Sequence, residues 1–180
     1  MKNIIKIYLA AFMFIAAPVF AVEGMAVIDM RTAVLSTQAA ADAFKALEED
    51  ADYSSNLEEA QSLQAERQAI AEKLQKELET LSQQEIAQMQ KDIQDKGKDL
   101  EFLAGKIQQA QEETAQQVFT SSGPEMQKII GELIAAKQIK VLLAKNETML
   151  FSDPALDLTD DVTSMLDVAA AAAEANTQSE

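Results

Sequence analysis

Leu81-Ser82-Gln83-Gln84-Glu85-Ile86 decides how this chain is built. Ser82 and Glu85 stand at capping-box spacing. In that motif the Ser hydroxyl takes a free backbone N–H of a new helix, and the Glu reaches back to the Ser N–H. Leu81 and Ile86 occupy the positions of a hydrophobic staple, which fixes the angle at which the chain enters the helix. On both sides run sequences dominated by Ala, Leu, Gln, Glu and Lys, all good helix formers. The stretch therefore predicts a reversal between two long helices. The product is a hairpin with its tip near 82–85, far longer than it is thick, and its function has to use an arm.

The flanking periodicity agrees. Leu63 and Ile70 fall seven apart, as do Leu74 and Leu81. Beyond the tip Ile86, Ile93, Leu100 and Ile107 repeat every seven, with Met89 and Leu103 at the second seam position. This is coiled-coil patterning, interrupted by Arg67, Glu77 and Lys96. From Phe44 to Leu81 the ascending leg is about 38 residues, or ~57 Å of helix. Gly97 and Gly105 sit in the descending leg, each costing roughly 1 kcal/mol relative to Ala.

Outside the arm, three segments read as strands: Met25 to Met30, Lys140 to Ala144, and Thr148 to Phe151 after a hairpin loop at Lys145-Asn146-Glu147. A helix continuing through Val141 to Ala144 is the competing reading, opposed by Asn146 and Asp153-Pro154. Ser121-Ser122-Gly123-Pro124 predicts a break, with Pro124 in the first turn of a further helix reaching about Ile139. Asp157 to Val162 opens a last helix, with acids where the helix dipole favours them. The expected organisation is a body from 22–43 and 120–170, an arm from 44–119 and a flexible tail at 171–180. The fold class is α+β and mostly α. Three short strands bury little surface and leave open edges, so the small β-body is expected to be shared in an oligomer. Val27, Ile28, Met30, Val141, Leu143 and Met149 are the expected oligomerisation residues.

Lys2 and Lys6, the uncharged apolar run from Ile7 to Ala17, and Val19-Phe20-Ala21 read as a secretory signal peptide (1–21) cut after Ala21. The run is short for a membrane span, so stable membrane insertion is not expected, and the chain has no Cys to carry a lipid. It has no His or Trp either, which removes thiol nucleophiles, His-based acid–base chemistry and ordinary zinc sites. No G-x-x-x-x-G-K-[ST] loop is present, so ATP hydrolysis has no basis. The acids Asp153, Asp157, Asp160 and Asp161 lack the Gly and bidentate Glu of a calcium loop. No metal, cofactor or enzymatic role is expected. The formal charge is −15; without Lys2 and Lys6 the chain has 13 basic and 30 acidic residues, or −17. That argues against nucleic acid as a partner and against anionic lipid surfaces.

In order and spacing, the strand ending Val27-Ile28-Asp29-Met30-Arg31, the tip Leu81 to Glu85, Ile139 to Leu143 and Asp157 to Val162 resemble the Skp/OmpH family of periplasmic chaperones. The resemblance spans nearly all of the chain after the leader. It implies a homotrimer with a small β-barrel body and three helical arms. The arms would enclose a cavity that holds unfolded outer-membrane proteins without ATP, client contacts being spread over the arm at 44–119. Familiar members are basic, whereas this chain is acidic, which argues against lipopolysaccharide as a partner. The heptads alone equally suit an exported coiled-coil scaffold protein of the cell envelope. The flanking strands and the reversing tip favour the chaperone.

Overall fold

A computed structural model describes residues 24–177; the expected signal peptide (1–21), residues 22–23 and residues 178–180 lie outside the described residues. Strand β1 (Met25–Ile28) is followed by the short helix α1 (Met30–Leu35), α2 (Gln38–Glu48), α3 (Ala51–Glu77) and the 54-residue α4 (Gln83–Ala136). Strand β2 (Val141–Ala144), a 3-10 turn (Pro154–Leu156) and α5 (Thr159–Thr177) complete it. The chain is α+β and mostly helical, as the sequence predicts.

The two ends of the chain meet in a parallel pair, Met25 against Val141 through Ile28 against Ala144. Gly24 makes this possible. Its φ of +85° and a position where a Cβ would stand 2.9 Å from Lys140 both demand glycine. Its carbonyl accepts from the Lys140 and Val141 N–H groups at 2.7 and 2.9 Å. The other edge of β1 is also used, since the Leu158 N–H donates to the Val27 carbonyl. Ala26 and Ile28 turn to the helices, with Leu142 on the same face. Ile28 and Leu142 join Ala33, Val34 and Ala40 of α1 and α2, Val118, Met126, Ile129 and Leu133 of α4, and Val162 and Leu166 of α5 in one core.

In the body, three expectations are corrected. Met30 is helical, because Asp29 caps α1: its carboxylate accepts from the Thr32 N–H at 2.9 Å and the Thr32 hydroxyl at 2.8 Å. Thr148 to Phe151 is not a strand. Asn146 captures that backbone instead, its Oδ1 accepting from the Thr148 N–H (3.0 Å) and hydroxyl (2.6 Å) and its carbonyl from the Met149 N–H (3.0 Å), a side-chain turn that competes with pairing. Finally, α4 runs unbroken through Ser121 to Pro124. Pro124 removes one helical N–H and costs about 3 kcal/mol in a helix interior. Ala115, Val118, Met126, Ile129 and Leu133 form one buried stripe across it, and burying a single such side chain stabilises by about 1.5–3 kcal/mol. The stripe outweighs the proline.

The ascending leg is not one helix either. It breaks at Glu49 and Asp50, where the Asp50 carboxylate caps α3 by accepting from the Asp52 and Tyr53 N–H groups. At 1.5 Å per residue α4 is ~81 Å long. Its first half is one leg of the hairpin, and its last turns are the spine of the body.

Candidate functional site

Two surfaces stand out: the arm and the open side of the sheet. The arm is held by its seam. Leu63, Ile70, Leu74 and Leu81 of the ascending leg are half-buried, as are Ile86, Met89, Ile93, Leu100 and Ile107 of the descending leg, and Leu103 is buried. These are the residues the heptads single out. Lys96, an interruption in the sequence pattern, crosses the hairpin to Glu66. Lys106 donates to Asn56 Oδ1 at 3.0 Å, and Gln111 to the hydroxyl of buried Tyr53 at 2.7 Å. These three bonds went unread in the sequence. The signal was available, because antiparallel partners lie equidistant from the tip: 66 with 96 and 56 with 106 have their midpoint at 81.

At the tip the capping box is complete. The Ser82 Oγ accepts from the Glu85 N–H at 3.3 Å, while the Ser82 N–H and hydroxyl donate to Glu85 Oε2 at 2.8 and 2.7 Å. The Ser82 hydroxyl and N–H hold the Glu85 carboxyl below its ordinary pKa of 4.5. Leu81 and Ile86 are both half-buried, as a staple requires. Away from the seam the arm is polar. Its large exposed apolar side chains are Leu78 near the tip and Phe102, which lies under Lys106 with Nζ 5.7 Å from the ring centroid.

On the body, the sheet turns Met25, Val141 and Leu143 outward, 38%, 44% and 40% exposed. Val141 and Lys145 donate to β1, so in a parallel ladder Leu142 and Ala144 leave their backbone groups on the outer edge of β2. The six expected oligomerisation residues therefore separate. Val27 and Ile28 belong to the protomer's own interior, 5% and 2% exposed. Val141 and Leu143 face out on the sheet, Met30 faces out from α1, and Met149 lies half-buried in the turn after β2.

Three of the four acids considered for a calcium loop have a structural partner. Asp153 caps the 3-10 turn at the Ala155 N–H, and Asp161 pairs with Lys137 at 2.7 Å. Asp157 takes Lys145 Nζ at 2.8 Å and the Thr159 hydroxyl at 2.5 Å. Burial works to raise the Asp157 pKa, but the bonds from Lys145 and Thr159 outweigh it and the net direction is down. Thr159 in turn accepts from the Asp29 N–H at 3.0 Å. This knot fixes the C-terminal ends of both strands to the start of α5.

The profile of the OmpH-like outer membrane protein family matches residues 24–166, the hairpin and both strands included. The chain belongs to the OmpH-like family. No curated protein matches it significantly. Among solved structures, one from Caulobacter crescentus, put forward as an outer membrane chaperone of the OmpH-like kind, aligns at 23% identity. The alignment covers 81% of the OmpH-like chain described here and 84% of the other, with a TM-score of 0.44. Among the described residues no helix is long and apolar enough to cross a membrane.

Proposed function

We propose that the chain is an ATP-independent periplasmic holdase that keeps unfolded outer-membrane proteins apart in a cavity between helical arms. The observation that carries this reading is the hairpin itself. It is a long lever with an apolar seam used up in holding its own legs together and polar flanks left for contact. Many weak contacts on such walls give avidity without a fixed site, and polar, Gln-rich walls let the client go. Membership of the OmpH-like family supports a chaperone role.

A cavity needs several arms. An open β2 edge beside outward Val141 and Leu143 is a template for another chain, and a two-stranded parallel sheet exposed on one face is unusual for a finished protein. A homotrimer that shares its sheets answers both. The body is then 22–43 with 120–170 and the arm 44–119.

Dilution of a urea-unfolded outer-membrane barrel protein, followed by light scattering, tests the reading. The OmpH-like chain should suppress aggregation with no nucleotide added. Undiminished scattering at a several-fold excess would leave the envelope-scaffold reading as the better one.

A further inference from the structure

The body carries an apolar groove and an apolar loop that match each other but do not meet. The groove, ≈300 Å³, lies where the sheet ends against α4 and is lined by the apolar side chains of Met30, Leu35 and Phe119. Asp29, Arg31 and Lys145 also line it, and Lys145 is paired with Asp157 at 2.8 Å. The loop is the connection from β2 to the 3-10 turn, which begins at that same Lys145. At its crest Leu150 is 97% and Phe151 83% exposed, and Glu147 and Asp153 flank the apolar stretch. Nothing among the described residues shelters these two side chains, although the groove opens beside the root of their own loop. The Arg31 guanidinium has no ion-pair partner among the described residues, in a chain where acids outnumber bases two to one.

We propose that the groove receives the Leu150-Phe151 loop of a second copy of this chain. An acid-flanked apolar loop meets an apolar groove that offers the unpaired Arg31 guanidinium, so apolar surface and charge each find a partner. The contact is head-to-tail, because loop and groove are different surfaces. Repeated around a rotation axis it closes a ring, which an isologous pairing of β2 edges would not do. The inference rests on the oligomer proposed above and names the segment that locks it.

The chain has no cysteine, so single cysteines report proximity cleanly. Full-length Gln116→Cys, placed on the groove wall, and Leu150→Cys are mixed in equal amounts, unfolded and refolded together, and treated with a short bismaleimide. Heterodimeric cross-links are expected. The double variant Gln116→Cys/Leu150→Cys should cross-link between chains at dilutions where the oligomer persists. Phe151→Ala, at an exposed position, should keep the circular dichroism of the protomer and raise the dissociation constant of the assembly at least tenfold. Cross-links confined within one chain, or their absence from an intact oligomer, overturn the groove contact. So does an unchanged dissociation constant in Phe151→Ala. A wild-type chain that is monomeric at micromolar concentration removes the oligomer itself, and that result is read separately by mass.

Discussion

Single residues set the ends of the elements. Ser82→Ala should remove about 1 kcal/mol of local helix stability at the tip and speed amide exchange across residues 82–90 while leaving the body unchanged. The same cap has a pH sign. The Glu85 carboxyl is held below its ordinary 4.5 by Ser82, so its contribution is present above that value and is lost as pH falls through the lowered folded pKa. Carbon NMR of the Glu85 carboxyl should show a titration below 4.5 that moves back up in Ser82→Ala. Gln138 makes a second case. It follows α4 with φ of +52°, and the Ile139 N–H returns to the Ile134 carbonyl at 3.0 Å. This is a Schellman closure, usually made by glycine. A side chain there costs roughly 1–2 kcal/mol, so Gln138→Gly should raise the thermal midpoint. A lowered midpoint would show that the Gln side chain holds something the backbone account omits.

At the scale of elements, the seam was legible in the sequence because heptads and a capping box are local signals. The errors came where a local signal met a tertiary one. Pro124 reads as a helix start, but the stripe from Ala115 to Leu133 continues straight through it. Thr148 to Phe151 has strand composition, but Asn146 offers the backbone a nearer partner. The division of the expected interface residues was not legible either. Val27 and Val141 look alike in sequence, and only the pairing of β1 on both edges decides that one is interior and the other open. Since Pro124 is exposed and the helix is intact around it, Pro124→Ala should stabilise α4 by up to about 3 kcal/mol, seen as a higher denaturant midpoint. No gain would mean that the helix bends there in a way the body needs. Gly97 and Gly105 have nothing within 4 Å of an added Cβ, so helix stability is given up there without a packing reason among the described residues.

For the whole molecule, the outward and inward faces of the sheet predict different failures. Ile28→Asp places a charge in the core and should unfold the protomer. Val141→Asp should leave the protomer's circular dichroism intact and yield a smaller species by mass. If Val141→Asp assembles normally, the open side of the sheet is not the interface. The central claim is that the arm, not the body, holds the client. Because 66 pairs with 96 and 56 with 106, a matched excision runs from Leu63 to Asp99, with Ser62 and Leu100 joined by a short turn. That keeps the remaining seam in register and the body whole. The shortened protein should assemble like the full chain, yet fail to suppress light scattering when a urea-unfolded outer-membrane barrel protein is diluted into it. Suppression as complete as that of the full chain would contradict the account.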